Sequence, residues 1–192
     1  PLGFLSTEDA SIAGNFGLKD QKLALNWIKE NIAHFGGDPE KMVLLGFSAG
    51  AASSHLQMLQ TSLTNIANGV ISFSGVALNP SVITTNPRKS CTKLAELLKC
   101  PNTKDTQQMK ICKKKKKSED IVKSVKEFFN YGYNPFTPFG PVVESKDAKD
   151  TFMTQHPRNI IQTGNYSHLP WLASYAAQDA CYNAAELLEI NP

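Results

Sequence analysis

The sequence predicts an α/β protein with a parallel sheet, from three observations. A helical stretch is followed by a short apolar run bounded by turn residues, and a G-x-S-x-G pentapeptide stands where that run meets a second helical stretch. From Leu18 to Phe35, apolar residues fall at Leu18, Leu23, Ala24, Trp27, Ile28, Ile32 and Phe35, a spacing that gives a helix one buried stripe. Gly36 and Gly37 supply its C-terminal cap, and Asp38-Pro39 a turn. The run Met42 to Leu45 is short enough to be a strand. Ala49 to Leu59 reads as helix again, and Val70 to Phe73 as a second buried strand. Strand, tight turn, helix and strand in that order imply a parallel pair.

The tight turn is GFSAG, residues 46 to 50. In a nucleophile elbow a serine occupies a strained turn between strand and helix, and the positions two before and two after must be small. Gly46 and Gly50 satisfy that demand. The N-terminus of the following helix points backbone N–H groups at the serine, so Ser48 is the candidate nucleophile and Ala49 N–H a candidate oxyanion donor.

Composition is that of an ordinary globular chain: 192 residues, 41% hydrophobic and 19% charged. No apolar run is long enough to span a bilayer. The chain begins at Pro1 with no initiator Met and no signal peptide, and reads as a piece of a longer polypeptide. The formal net charge of +3 is local, because Lys110 and Lys113 to Lys117 carry six positive charges and leave the rest net acidic. A nucleic-acid partner is not expected, since its basic residues would be spread over a face with aromatics between them. The lysine run itself is either a solvated loop or a patch making weak contact with a polyanion such as heparin or anionic lipid. Cysteine and histidine spacings match no metal motif, and no cofactor is implied.

The run from Gly3 to Leu59 closely resembles the type-B carboxylesterases, the cholinesterase and carboxylesterase family of α/β hydrolases. The resemblance rests on GNFGLKDQ at 14 to 21, FGGDP at 35 to 39, GFSAG, and Ser74-Gly75. It covers essentially the whole chain and is nearest to the secreted insect β-esterases, a group that includes venom carboxylesterases. YNPFTPFGPVVE, MTQHPRNIIQTGNYSHLPW and SYAAQDACYNAAELL support that subgroup. The fold implied is the central portion of an α/β-hydrolase, an incomplete sheet with flanking helices, with residues 1–192 an internal fragment of one catalytic domain.

Carried over position by position, the resemblance makes Ser48 the nucleophile, Ala49 an oxyanion donor, Asp179 the triad acid and Ser74 a residue that orients the triad. It places Pro135, Phe136 and Phe139 in a segment like the family's acyl pocket, with a plain core role equally open for them. It pairs Cys100 with Cys112 across the polar loop PNTKDTQQMKI, a bridge worth about 3 kcal/mol for so short a loop. Cys91 and Cys181 then read as buried free thiols. That disulfide and the Asn165-Tyr166-Ser167 glycosylation sequon agree with a secreted protein. Departures exist: Ala51 and Ala180 stand where the family usually has glycine, and Phe47 replaces the Glu or Gln of specialised members, which favours a generalist esterase.

The base is the gap. Histidines occur at 34, 55, 156 and 168, and none follows Asp179, where the family places its triad histidine. His55 is about 10 Å along the helix from Ser48, beyond hydrogen-bond reach. His168 would require another chain order. The expectation is therefore a serine carboxylesterase of small-molecule esters whose histidine and Gly-Gly oxyanion loop lie outside these residues, the fragment alone being inactive. The alternative is a cholinesterase-like adhesion protein without activity, against which an intact GFSAG argues.

Overall fold

A computed structural model describes residues 1–101, 104–130, 137–179, 181 and 184. They form two compact units, one of Pro1–Trp27 with Pro80–Gly164, the other of Ile28–Asn79 with the described residues from Asn165 onward. Helix α1 (Phe16–Asn31) carries the chain from the first into the second and ends in a 3₁₀ turn, Ile32–Phe35, which Gly36 caps in the left-handed conformation. The helix forms as its spacing predicts, but its stripe is not buried. Leu18 is fully enclosed, whereas Leu23, Trp27 and Phe35 stay exposed.

The second unit holds a parallel sheet of β1 (Val43–Phe47), β2 (Gly69–Phe73) and β3 (Trp171–Ser174) in that spatial order, with α2 (Ala49–Met58) joining β1 to β2. The first strand runs two residues further than the apolar run suggests and delivers its end directly to Ser48. Because side chains alternate across a strand, Val70 and Ser72 point to the α2 side and are buried with Ala51, Ala52 and Leu56. The opposite face carries Val43, Leu45, Phe47 and Leu172, all exposed. Parallel sheets are ordinarily covered on both faces; among the described residues of this unit, this one is covered on one.

The first unit is helical: α3 (Pro87–Leu97), α4 (Thr106–Lys114), α5 (Ser118–Lys123) and α6 (Pro157–Thr163). Leu94, Ala95, Leu98, Ile121 and Phe128 make its core, and Phe139 packs against it with its ring edge-on to Phe128 at 4.8 Å. Cys100 and Cys112 are disulfide-bonded. The stretch between them is not simply a loop. Asp105 caps α4 by accepting hydrogen bonds from the N–H groups of Gln107 and Gln108, so helix begins at Thr106.

Two further expectations are corrected here. Lys113 does not belong to a solvated run: it is buried in the last turn of α4, its Nζ donating to the carbonyl oxygen of Cys91, because the stripe of that helix turns it inward. Lys114, Lys115 and Lys117 remain exposed. Cys91 is a buried free thiol as read, but Cys181 is exposed. The GNFGLKDQ motif has a structural task the sequence did not disclose. Asn15 bonds the backbone of Val142 on both sides and, with Lys19, holds the buried carboxylate of Glu144, which also accepts the N–H groups of Phe152 and Met153.

Candidate active site

Ser48 lies between the last residue of β1 and the first of α2, with φ 54° and ψ −118°. A non-glycine residue in that region is strained by about 1–3 kcal/mol and persists only where its surroundings impose it. Here they do. Ser48 N–H donates to Phe73 O at 2.8 Å, and Ser48 O accepts Ala52 N–H at 3.0 Å, so the residue is tied to β2 on one side and to α2 on the other.

The turn is also closed sterically. A Cβ on Gly46 would lie 2.1 Å from Gly50 O, and one on Gly75 would lie 2.2 Å from Ser48 O. Both are backbone contacts that no rotamer can relieve. Gly50 differs from expectation: among the described residues nothing approaches within 4 Å of where its Cβ would be. Strand and helix collide at the first glycine of the pentapeptide and not at the last. Gly75, whose adjacency to the elbow carbonyl the sequence did not reveal, takes over part of the role; its only signal was a Ser-Gly pair directly after a strand.

Ser74 follows β2 as Ser48 follows β1. It also has positive φ, 56°, and its N–H donates to Ser174 O at 2.7 Å. Asp179 comes shortly after β3, exposed, in a turn where its N–H donates to Ala176 O at 3.2 Å. Since the three strands are parallel and adjacent, Ser48, Ser74 and the segment bearing Asp179 all leave the carboxyl edge of one sheet. In open α/β sheets this edge is where ligands bind. Ser48 and Ala49 are exposed there. Ala49 N–H is the first amide of α2 and has no carbonyl a full turn before it within the helix.

Three of the four histidines have other occupations. His55 is buried, its Nδ1 accepts Ala77 N–H at 3.2 Å, its ring lies 4.2 Å from that of Trp171, and burial pushes its pKa down to about 4. His156 caps α6 through Nδ1, accepting Arg158 N–H. His168 stacks at 4.4 Å on Tyr166. Phe139 is placed in the helical core described above, and Phe136 lies outside the described residues, as do Pro135 and Ala180. Asn165 is exposed, while Ser167 of its sequon is buried, its hydroxyl at hydrogen-bond distance from Gln60 O and Thr61 O. Among the described residues no group of His, Cys, Asp or Glu converges as metal ligands would, and no helix is long and apolar enough to cross a membrane.

A strand, a serine at a strained turn and a helix at the carboxyl edge of a parallel sheet define the α/β-hydrolase class. The chain belongs to the carboxylesterase family, whose model matches residues 1–191. It is 51% identical over 189 residues to Esterase-5A of Drosophila pseudoobscura pseudoobscura, covering 98% of this chain and 34% of that protein. It is 49% identical over 191 residues to Esterase P of Drosophila melanogaster, covering 100% and 35% respectively. Esterase-5B of Drosophila persimilis is 49% identical over 189 residues, with 98% and 35% covered. The chain thus spans about a third of the length of these relatives.

Proposed function

We propose that the protein is a serine carboxylesterase that hydrolyses small-molecule esters through an acyl-enzyme on Ser48, and that residues 1–192 form an internal part of its single catalytic domain. The observation that carries this reading is the conformation of Ser48, a strained, exposed serine held by β2, α2 and two glycines that tolerate no Cβ.

Ser48 Oγ attacks the ester carbonyl while a histidine supplied by the longer polypeptide takes its proton. Asp179 accepts that histidine's other N–H, which fixes the tautomer and stabilises the imidazolium. Ala49 N–H, aided by the positive end of α2, donates to the oxyanion. Protonated by the histidine, the alcohol leaves. Water then enters by the same route and releases the acid. Ser74, on the neighbouring strand end, positions the acid segment through Ser174.

The Cys100–Cys112 disulfide supports an oxidising, extracellular setting, and the exposed Asn165 is the proposed glycan site. Phe136 is retained as an acyl-pocket candidate, whereas the packing of Phe139 supports a core role. The test is to treat the full-length protein with an organophosphate and map the labelled peptide. Label on Ser48, absent in Ser48→Ala together with turnover of short-chain aryl esters, supports the reading; label on another serine removes it.

A further inference from the structure

Cys91 is fully buried in α3, and Lys113, also buried, closes on it from the last turn of α4. Lys113 Nζ lies 2.6 Å from Cys91 Sγ and 2.7 Å from Cys91 O. An N–H donor keeps about 2.7–3.2 Å even from oxygen, and sulfur is the larger atom. The nitrogen and sulfur are therefore closer than a hydrogen bond between them requires, yet further apart than a direct bond. Two single bonds meeting at one intervening oxygen span such a gap.

The surroundings point the same way. The partners of this nitrogen are a carbonyl and a sulfur, neither of them a carboxylate. Ile12 and Met109 pack around Cys91. Cys100 and Cys112, the other cysteines of this unit, are already bonded to each other. Within this unit an oxidised Cys91 thus has the Lys113 nitrogen, and no thiol, as its reaction partner.

We propose that Cys91 and Lys113 form an oxidative cross-link, Sγ–O–Nζ, that ties α3 to α4. Thiol and amine together react with one dioxygen. The S–H and one N–H bond break, one oxygen atom forms the new S–O and O–N bonds, and the other departs as water with the two hydrogens. Sulfur and nitrogen give up two electrons each, and dioxygen takes all four. Two equivalents of a dithiol reverse the change to thiol, amine and water. Since Lys113 directly follows Cys112, the link and the disulfide clamp the same turn of α4, which makes its attachment to α3 depend on the redox state of two neighbouring residues. The proposal stands apart from the catalytic reading.

The test is peptide mapping of the full-length protein, purified in air, unfolded without reductant, alkylated with iodoacetamide and cut with trypsin. The cross-link blocks cutting after Lys113. It leaves Ser90–Lys93 joined to Ile111–Lys114 at their summed mass plus one oxygen and less two hydrogens, in a species that also carries the Cys100 peptide through the disulfide. Dithiothreitol should release all three and restore cutting after Lys113, and Lys113→Gln should lack the joined species. The wild-type digest decides the matter whether or not that variant folds. Cys91 recovered wholly as alkylated thiol, or joined peptides without the extra oxygen, would overturn the proposal.

Discussion

Replacing Gly46 with alanine tests the packing that holds the serine in place. The new Cβ would lie 2.1 Å from Gly50 O, 2.2 Å from Gly50 C and 2.5 Å from Ala51 N, all backbone atoms of the first turn of α2. To reach even a tight contact, strand and helix must part by about 1 Å, and a misplacement of that size costs on the order of 10²-fold in rate. Overpacking costs about 1–3 kcal/mol in stability, and here the upper part of that range applies because no side chain can rotate away. Gly50→Ala is the control, since its Cβ meets nothing among the described residues and alanine is the better helix former by about 1 kcal/mol. The assay is kcat and KM on an aryl ester with the urea midpoint, measured on the full-length protein for both variants. Gly46→Ala should lose about 10²-fold in kcat with KM little changed and a lowered midpoint, while Gly50→Ala should keep its rate and raise its midpoint. Equal behaviour of the two variants, in either direction, would refute the claim that strand and helix collide at Gly46 and not at Gly50.

Three further outcomes are expected. Asp179→Asn should lower kcat by about 10⁴ by leaving the histidine in the wrong tautomer, whereas Glu186→Gln and Glu189→Gln should not; a loss confined to a glutamate variant would move the acid elsewhere. His55 is neutral in the fold, with its pKa pushed by burial from 6.5 to about 4. Its contribution to stability is therefore complete above about pH 6.5 and is lost as pH falls toward 4, up to about 3 kcal/mol in all. His55→Gln, which keeps an acceptor for Ala77 N–H, should flatten the fall in urea midpoint between neutral and mildly acidic pH, and an unchanged slope would contradict the assignment. Finally, residues 1–192 expressed alone should neither turn over esters nor remain monomeric in gel filtration, because the exposed face of Val43, Leu45, Phe47 and Leu172 invites association. A monomer with Ser48-dependent turnover would place the base on a histidine of this chain.

What the sequence disclosed is what local rules govern. The helix from residue 16, the strand before GFSAG, the helix after it and the strand ending at Phe73 all follow from periodicity and turn residues, and Ser48 was legible because a glycine pattern and a strand-to-helix junction coincide. What it hid depends on partners distant in sequence. Trp171–Ser174 carries no alternation of its own and is a strand only because β2 lies beside it. Lys113 reads as one of five identical lysines, and only the position of α3 turns it from solvent to core. Gly46 and Gly50 look equivalent in the motif; the direction in which α2 leaves the turn separates them. Asn15 gives no hint that its partners lie in the segment around Val142 and Glu144.

The order of the strands has a consequence for biosynthesis. β1, the elbow, α2 and β2 are contiguous and can form a local unit as they leave the ribosome, but β3 follows only after the residues of the helical unit have been made. Pairing it closes a long loop, which is costly mainly in time. The amide of Ser74 waits for Ser174, and Asp179 arrives later still. During synthesis the nascent chain therefore carries Ser48 at its strained turn beside a vacant strand position, without the carboxylate that the proposed reaction needs. Of the three strands described, the last to be made is the one that leads to the proposed acid.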